Sequence, residues 1–466
     1  MSNPVGKPRH EPDAVDLTPP RGHRRSQITT RSQRRCSELL GEGSAGGHVV
    51  VAHPDLTMEN VHSVRVAVVT ESFLPQVNGV TNSVLQVIAH LRRQGHEALV
   101  LAPGVGPDEV EGTPVIRVPA VDLAVVDSLP VGVPTPAVRA TLEEFRPDVV
   151  HLASPFVLGA RAITAARRLR VPTVAVYQTD VAGFAASYGV GLTARAAWRW
   201  TRRLHSRADR TLAPSAWAVD ALREHGIPRV HRWGRGVDTT RFRPAAEHAD
   251  RGAAAAALRR ELAPRGEMLV GYVGRLAHEK QVERLATLSG LPGVRTVVVG
   301  DGPARSRLAE LLPDAAFLGF RGGAELATAY AALDAFVHTG PFETFCQTVQ
   351  EAKASGLPVV APDAGGVRDL VDPGVTGWLF DVDDPAGGGV RERVRAWRDD
   401  PATRRRMGLA ARASTTGRTW PAVCDELLGH YVDLTRARTA DDSRGAHRVV
   451  TRGSAERRTG TVDTAA

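Results

Sequence analysis

The sequence of 466 residues predicts an α/β fold built from two doubly wound parallel sheets. Short apolar runs of strand length alternate with stretches whose apolar residues recur at helical spacing, which is typical of parallel sheets. This alternation occurs in two series, one from residue 64 to about 213 and one from 268 to about 361. The chain is also long for one hydrophobic core, since single cores stop growing at about 250–300 residues. We therefore predict two Rossmann-like domains that face a cleft.

The first series begins with an apolar strand at 64–69 and a helix over about 78–94. The helix carries Val80, Val84 and Val87 on one face and ends at Gly95, a natural C-cap. Further strands are predicted at 98–102, 148–151, 173–176 and 210–213, with helices at 156–170 and 193–208. The second series predicts strands at 268–273, 295–299, 316–318, 335–337 and 358–361.

Composition shifts along the chain predict its domain limits. The segments are a disordered extension at 1–60, an N-terminal domain at 61–243, a C-terminal domain at 244–418, a crossover helix at 419–434 and a disordered tail at 435–466. Both terminal segments are polar, arginine-rich and without sustained periodicity, which favours disorder. Met58 lies just before the first strand, so we also expect that the native start is Met58.

Composition and charge exclude several classes of protein. No apolar run approaches the roughly 18 residues of a membrane-spanning helix, and no apolar segment follows the N-terminal arginines as in a secretory signal. Cys36, Cys346 and Cys424 are too far apart for a disulfide framework or a metal-ligand motif, so we expect a cytoplasmic protein. The net charge is +8, but residues 1–57 and 435–466 hold +2 and +3 of it, which argues against nucleic acid as a partner.

Two glutamates eight positions apart, Glu343 and Glu351, follow the predicted strand at 335–337 and bracket a helix start near 344–346. Backbone N–H groups at a helix start bind anions such as a diphosphate, and carboxylates accept hydrogen bonds from sugar hydroxyls. Taken alone, the pattern favours the plainer interpretation of a loop glutamate and a solvated helix glutamate.

A second motif places Gly274, Arg275 and Lys280 directly after the strand at 268–273. A guanidinium and an ammonium on one strand-to-helix turn can converge on a phosphate pair, although a solvated helix start has the same spacing. Lys280 is one of three lysines among 59 basic residues, which hints at a local need for a compact ammonium. The glycine-rich turns at 299–303 and 361–368 also follow strands and are weaker signals.

In the N-terminal half, polar residues follow three predicted strands. Asn78 and Gly79 follow the first strand, His151 ends another, and Tyr177, Gln178 and Asp180 end a third. Ligands bind at the carboxyl ends of parallel strands, so these residues are candidates for an acceptor site, although a strand histidine is more often a core residue. The turn after the first strand lacks the full G-x-G-x-x-G fingerprint, and the chain has no G-x-x-x-x-G-K-[ST], which argues against a dinucleotide oxidoreductase and an NTPase.

Two further patterns have plainer alternatives. Asp381 and Asp383 form a D-x-D, but we interpret Asp383 or Asp384 before Pro385 as a helix N-cap and predict no metal. The predicted helix at 193–208 combines arginines with Trp198 and Trp200. A basic face with an exposed tryptophan would suit an anionic membrane surface, and an ordinary solvated helix is an equally good explanation.

Together these residues resemble retaining glycosyltransferase family 4, of the GT-B fold, over about 64–434. The shared motifs are the Glu343/Glu351 pair, Gly274-Arg275-Leu276 with Glu279-Lys280, Gly300-Asp301-Gly302-Pro303, Gly236-Val237-Asp238 and Gly365-Gly366-Val367-Arg368-Asp369. The N-terminal segments Glu71 to Asn82, His151 to Pro155 and Tyr177 to Asp180 resemble GDP-mannose-dependent α-mannosyltransferases of phosphatidylinositol mannoside and glycolipid synthesis.

The resemblance implies roles for individual residues. Arg275 and Lys280 would hold the donor diphosphate, Glu343 would bind the sugar hydroxyls and Glu351 the ribose, and His151 would lie beside the sugar ring. The residues expected only to contact substrate are Asn78, Gly79, Tyr177, Gln178, Asp180, Gly302, Phe345, Cys346, Gly365 and Gly366. Many relatives have histidine where this chain has Gln178, so we expect Gln178 to position the acceptor rather than act as a base.

The function implied is transfer of mannose from GDP-mannose to a lipid-linked or glycolipid acceptor, with retention of configuration and without a cofactor or metal. Contact with an anionic membrane surface would place the protein peripherally on the inner face of the plasma membrane. The alternatives are a UDP-sugar-dependent glycolipid glycosyltransferase of the same fold and an NAD-dependent oxidoreductase. The oxidoreductase would require a G-x-G-x-x-G fingerprint directly after a strand, with an acidic residue about twenty positions on.

Overall fold

The computed structural model describes most of the chain after residue 62. The described residues are 63–122, 130–133, 135–180, 191–248, 251–384, 387 and 389–456. The predictions for residues 1–60, for a start at Met58 and for residues 457–466 lie outside the described residues.

The N-terminal half contains an eight-stranded sheet in the order β10-β9-β8-β7-β1-β2-β4-β3. Its strands are β1 (Arg65–Val69), β2 (Glu97–Pro103), β3 (Glu109–Val110), β4 (Thr113–Val118), β7 (Val149–Ala153), β8 (Thr173–Val176), β9 (Arg210–Ala213) and β10 (Val230–Arg232). All neighbours pair in parallel except β3 with β4, and β5 (Ala120–Asp122) pairs with β6 (Pro130–Gly132) as a separate antiparallel ribbon. The helices of this half are α1 (Gly79–Arg93), α2 (Ala137–Phe145), α3 (Val157–Leu169), α4 (Gly191–His205) and α5 (Ala216–Glu224).

The C-terminal half contains a six-stranded, all-parallel sheet in the order β13-β12-β11-β14-β15-β16. Its strands are β11 (Met268–Val273), β12 (Val294–Val299), β13 (Ala316–Gly319), β14 (Ala335–Val337), β15 (Val359–Pro362) and β16 (Gly377–Phe380). Its helices are α6 (Gly252–Leu262), α7 (Arg305–Leu311), α8 (Gly323–Ala332), α9 (Gln347–Ala354), α10 (Val390–Asp399) and α11 (Pro401–Ala413). The prediction of two doubly wound parallel sheets is confirmed.

The central strands are buried on both faces, as parallel sheets covered by helices require. In β1, Val66 and Val68 pack into one hydrophobic cluster, while Ala67 and Val69 pack into another. Successive side chains of a strand point to opposite faces, so this near-continuous apolar run fills two cores at once. The apolar face of α1, predicted from its spacing, closes the first of them.

The last helix, α12 (Trp420–Glu456), returns from the C-terminal half to the first sheet. Trp420, Leu427 and Tyr431 are buried in the same cluster as β1 and α1, and the indole N–H of Trp233 donates to Val423 O at 2.8 Å. The helix continues to Glu456, so the prediction of disorder from residue 435 is wrong for 435–456, where alanine and arginine are good helix formers and proline is absent from the sequence.

Candidate active site

One cavity of about 1260 Å³ opens at the carboxyl ends of strands from both sheets. The predicted site residues that line it are Asn78, Gly79, Tyr177, Gln178, Arg275, Lys280, Glu343, Phe345 and Cys346. Both halves of the chain therefore contribute to a single cavity, and the two cations and one acid of the predicted donor site face it together.

Lys280 and Glu343 form an ion pair at the cavity wall. Lys280 ends a short 3-10 turn after β11, and its Nζ lies 2.6 Å from Oε1 of Glu343, which belongs to the loop between β14 and α9. The side chains are 24% and 19% exposed, so water screens the pair weakly. Burial alone would raise the pKa of Glu343, but Lys280 and His338 hold it well below its ordinary value, while Glu343 raises the pKa of Lys280. The pair is therefore fully ionised near neutral pH.

Arg275 is the second cation of this wall, and it pairs with Glu279 four residues along the chain. The Arg275 side chain is half exposed to the cavity, whereas Glu279 is buried. Backbone hydrogen bonding and Arg275 outweigh burial and lower the pKa of Glu279. Each cation of the predicted donor site thus has a carboxylate partner.

His338, which directly follows β14, lies behind this ion pair. Its Nε2 is 3.1 Å from Gly340 O and 3.5 Å from Oε1 of Glu343. Burial would lower the pKa of His338, but the neighbouring Cys346 and Glu343 raise it to about 10. The ligand-capable atoms of His338, Glu343 and Cys346 lie within 4.8 Å of one another, so these three side chains could hold a metal ion.

On the N-terminal side, Asn78 begins α1 as its N-cap. Its Oδ1 accepts from the N–H groups of Val80 and Thr81 at 2.9 and 3.0 Å, and its Nδ2 donates to Ser72 Oγ at 2.7 Å. The asparagine thereby fixes the turn after β1 and leaves Gly79, the first residue of the helix, against the cavity.

Arg235 is a cavity residue that the motif search did not single out. Its side chain is buried, its guanidinium donates to Gly79 O at 2.8 Å and to Gln178 Oε1, and burial lowers its pKa to about 10. The carbonyl oxygen of Arg235 accepts from Gln350 Nε2 at 3.0 Å. Since Gln350 belongs to α9, this arginine links the N-terminal loops to the C-terminal helix beside the cavity.

Comparison with known proteins matches both halves of the chain to families of one kind. Residues 77–241 match the model of Glycosyltransferase Family 4, and residues 256–414 match Glycosyl transferases group 1. The GDP-mannose-dependent alpha-mannosyltransferase of Mycolicibacterium smegmatis is 58% identical over 79% of this chain and 96% of its own length. The enzyme of the same name from Mycobacterium tuberculosis is 56% identical over 81% of this chain and 98% of its own length.

The chain belongs to glycosyltransferase family 4. The structure of sucrose-phosphate synthase from Thermosynechococcus elongatus is similar, with a TM-score of 0.65 and 19% sequence identity. The match covers 80% of this transferase and 100% of the synthase chain, and it shows the GT-B fold. Among the residues that the structure describes, no helix is sufficiently long and apolar to cross a membrane.

The structure places His151 of the transferase in the core and not at the cavity. His151 is 1% exposed on β7, and its Nδ1 lies 2.7 Å from the hydroxyl of Tyr431 on α12. Burial lowers the pKa of His151 to about 3, so its ring is neutral. The expectation that it lies beside the sugar ring is wrong, because β7 turns this side chain towards α12.

Glu351 also lies apart from the cavity surface. The Tyr330 hydroxyl donates to its Oε2 at 3.2 Å inside the C-terminal core, and burial raises the pKa of Glu351 to about 8. Asp180 accepts from the Tyr177 hydroxyl at 3.0 Å and does not line the cavity. Neither acid lines the cavity, so the expected contacts of Glu351 and Asp180 with substrate are not supported by their positions.

Three glycines expected in the donor pocket support its loops instead. Gly302, Gly365 and Gly366 do not line the cavity, and a Cβ on any of them would come within 2.7 Å of a neighbouring carbonyl oxygen. The N–H of Gly366 donates to Glu343 O at 2.6 Å, and Gly365 has a left-handed φ of 59°. Only glycine fits this close approach, which holds the Glu343 loop in place.

Two other predictions need correction. Asp381 accepts from the N–H of Asp383 at 2.9 Å in a turn, and α10 begins at Val390 with Gly389 as its N-cap, so Asp383 and Asp384 do not cap this helix. In α4, the arginines face solvent, but Trp198 stacks on His225 at 3.6 Å and is half buried. The helix therefore has the predicted basic face without a freely exposed tryptophan.

The N-terminal lining of the cavity includes an apolar group among polar residues such as Ser154, Gln178 and Thr179. This group, the apolar wall, is formed by Val77, Val80, Phe156, Val157, Ala196, Ala197 and Trp200. Trp200 meets the ring of Phe156 edge-on at 6.3 Å, and Val77 is 73% exposed at the cavity. The transferase thus has a charged donor-side wall and an apolar wall within one cavity.

Proposed function

We propose that this transferase moves mannose from GDP-mannose to a lipid-linked or glycolipid acceptor, with retention of the anomeric configuration. The observation that carries the proposal is the joint presence, in one cavity, of the Arg275/Lys280/Glu343 wall and an apolar wall contributed by the other sheet. The names of the two mycobacterial relatives support mannose and guanosine diphosphate as the donor groups.

The two cations suit a diphosphate leaving group. Arg275 offers a planar fork and Lys280 a point charge, and the N-terminus of α9 adds backbone N–H groups and a favourable dipole beside them. As the bond between the sugar and the phosphate breaks, negative charge grows on the diphosphate, and fixed cations stabilise this charge most in the transition state. Catalysis by this chain is then mainly electrostatic and positional.

We propose that Glu343 accepts hydrogen bonds from the sugar. Its carboxylate is ionised and directed to the cavity by Lys280, so it can bind hydroxyl groups of the transferred mannose strongly. His151 is too deeply buried to take part, and Gln178 has no basic nitrogen. We therefore assign no enzymic general base, and the departing phosphate oxygen accepts the proton of the acceptor hydroxyl.

The apolar wall supports a lipid acceptor. Valines, Phe156 and Trp200 offer few polar partners to a free sugar, but they suit an acyl chain or a lipid backbone. The arginines of α4 lie on the solvent side of the same helix that carries Trp200. Such a basic face attracts anionic lipid headgroups, so we propose peripheral contact with the cytosolic membrane surface.

A donor panel tests the first half of the proposal. We expect the full chain to bind GDP-mannose more tightly than UDP-glucose, UDP-galactose or ADP-glucose in calorimetric titrations, without added metal. Preference for a UDP-sugar would refute the donor assignment.

The acceptor class is tested by product analysis. The full chain is incubated with GDP-mannose and either a membrane lipid extract or soluble oligosaccharides, and new products are identified by mass spectrometry. We expect a hexose added to a lipid in the first incubation. Products formed exclusively from soluble sugars would refute a lipid acceptor.

A tryptophan pair provides a matched test of the apolar wall. Trp200→Ala should raise the apparent KM for the lipid acceptor at least tenfold, equivalent to about 1.4 kcal/mol, with little change in the KM for the donor. Trp378, half buried on β16 and remote from the cavity lining, is the control. Equal effects of Trp200→Ala and Trp378→Ala on the acceptor KM would contradict the assignment.

A further inference from the structure

We propose that His338, Glu343 and Cys346 form a binding site for a thiophilic divalent cation of the Zn²⁺ class, and that the bound ion excludes the donor. The site shares Glu343 with the proposed donor pocket, so the exclusion of donor rests on the proposed function, whereas metal binding itself does not. The bound ion inhibits, and no metal is assigned to catalysis itself.

The donor set is chemically suited to zinc. An imidazole nitrogen, a thiol sulfur and a carboxylate oxygen lie within 4.8 Å of one another. In a tetrahedral zinc site the ligand atoms are about 3.5 Å apart, so the side chains need to close by about 1 Å. Three protein ligands leave one coordination position open, and Glu343 and Cys346 both line the cavity from which an ion would enter.

The three ligands belong to one short loop that is held in place. His338 directly follows β14 and Cys346 directly precedes α9. The two residues are 2% and 5% exposed, respectively. The loop between them is fixed at Glu343 O by the N–H of Gly366. A ligand loop anchored at a strand end, a helix start and its middle loses little conformational entropy on binding an ion.

An unpartnered atom provides an independent observation for a ligand at this place. Nδ1 of His338 is buried and has no hydrogen-bond partner among the described residues, and such groups are uncommon in folded proteins. The other ring nitrogen already lies 3.1 Å from Gly340 O. A metal ion coordinated through Nδ1 would satisfy this atom and leave the contact of Nε2 with Gly340 O intact, while Glu343, whose Oε1 lies 3.5 Å from Nε2, turns towards the ion.

The chemistry predicts which ions bind. A site with a thiolate and an imidazole selects zinc or cadmium over magnesium, which prefers oxygen ligands and retains its water. The ion must also draw Glu343 from Lys280, whose Nζ lies 2.6 Å away. Occupancy therefore removes the carboxylate proposed for the sugar and adds a positive charge that displaces Lys280, so the bound ion inhibits.

Metal binding is tested without any sugar nucleotide. The full chain, reduced with a phosphine and freed of metal, is titrated with Zn²⁺ against a chromophoric chelator and with Cd²⁺ by thiolate charge-transfer absorbance. We expect Cys346→Ser to abolish the cadmium band and both Cys346→Ser and His338→Gln to weaken zinc binding at least tenfold. Cys424→Ser is the matched control, because Cys424 is also a buried free thiol but lies against α1.

Two independent ligands are changed, so a folding defect in one variant, detected by circular dichroism, does not decide the result. Zinc affinities of both folded variants equal to that of the unsubstituted chain would overturn the site. Persistence of the cadmium band in Cys346→Ser would overturn it as well.

Competition is tested by titrating GDP-mannose with and without Zn²⁺. We expect zinc to weaken GDP-mannose binding at least tenfold in the unsubstituted chain, to have little effect in Cys346→Ser, and Mg²⁺ to have none in either. Zinc bound through these residues with unchanged affinity for GDP-mannose would overturn the exclusion of donor. Zinc binding by a chain that does not bind GDP-mannose would instead refute the proposed function and uphold the metal site.

Discussion

The Lys280–Glu343 ion pair allows stability and catalysis to be separated by a double-mutant cycle. Lys280→Met and Glu343→Gln each remove one charge and leave the other in a site where the side chains are 24% and 19% exposed. Breaking a fully buried pair costs about 3–5 kcal/mol, and partial exposure reduces the cost here to about 2–3 kcal/mol. Each single variant should therefore be clearly less stable than the unsubstituted chain.

The double variant removes both charges of the pair, so neither member is left without its partner. Neighbouring groups of this kind show coupling energies of about 1–3 kcal/mol, so the double variant should be more stable than the sum of the single changes predicts. For a domain of the size of either half of this chain, a change of about 1 kcal/mol in the free energy of unfolding shifts the melting temperature by about 2–4 °C. We expect losses of about 4–12 °C in each single variant and a loss in the double variant well below their sum.

Mannosyl transfer should behave differently from stability. If Lys280 serves the diphosphate and Glu343 the sugar, then all three variants lose at least tenfold in kcat/KM, about 1.4 kcal/mol of barrier. Melting temperatures from calorimetry and rates from donor turnover below the melting range measure the two effects. Recovery of activity in parallel with stability in the double variant would refute the catalytic roles and leave a purely structural ion pair.

Three other outcomes follow from the buried groups around the cavity. Tyr431→Phe should leave Nδ1 of His151 unpaired and cost about 1–3 kcal/mol of stability, with activity changed less than twofold, and a large loss of kcat would contradict a core role for His151. Burial raises the pKa of Glu351 to about 8 from an ordinary 4.5, so its stabilising contribution is complete below pH 4.5 and is lost as pH rises towards 8. Relative to Glu351→Gln, stability should fall by about 1.4 kcal/mol per pH unit in that window, and parallel melting profiles of the two proteins would refute the shift. Arg235→Lys should lower kcat/KM at least tenfold, about 1.4 kcal/mol, because one ammonium cannot bond Gly79 O and Gln178 together, and unchanged kinetics would contradict that positioning role.

The fold could be predicted because the strands are short apolar runs whose spacing is local information. The predicted strand at 268–273 coincides with β11, and the predicted helix over 78–94 coincides with α1 within a residue or two. The order of strands in each sheet was not predicted, because it depends on pairing between distant segments. The polar composition of 435–466 favours disorder and does not predict the helical continuation to Glu456, although helix propensity there is adequate.

The meeting of two site residues can be predicted where each directly follows a strand of the same sheet, and not where side-chain direction depends on distant packing. Lys280 and Glu343 meet because both follow adjacent strands, β11 and β14, at the same edge of one sheet. His151 also ends a strand, but a shift of one residue along β7 reverses the face to which a side chain points. That face is covered by α12, which is remote in sequence, so no local pattern could indicate that Tyr431 occupies the position.

Arg235 illustrates the same limit from the opposite direction. It directly precedes the Gly-Val-Asp motif at 236–238, and that adjacency was the one available signal. Its importance comes from contacts with three distant segments, through Gly79, Gln178 and Gln350. Local sequence can identify an arginine, but only the tertiary structure indicates that its guanidinium and its carbonyl oxygen join the two halves.

The paired charges of the cavity have a consequence for how a donor would bind. Arg275 and Lys280 already have carboxylate partners, so a diphosphate exchanges one set of ion pairs for another and gains only the difference in energy. When Lys280 turns towards phosphate, Glu343 loses its partner, and a buried carboxylate without a partner is costly. The hydroxyl groups of the sugar can supply the missing hydrogen bonds to Glu343. The phosphate and sugar portions of the donor are therefore expected to bind cooperatively, because one frees the carboxylate that the other satisfies.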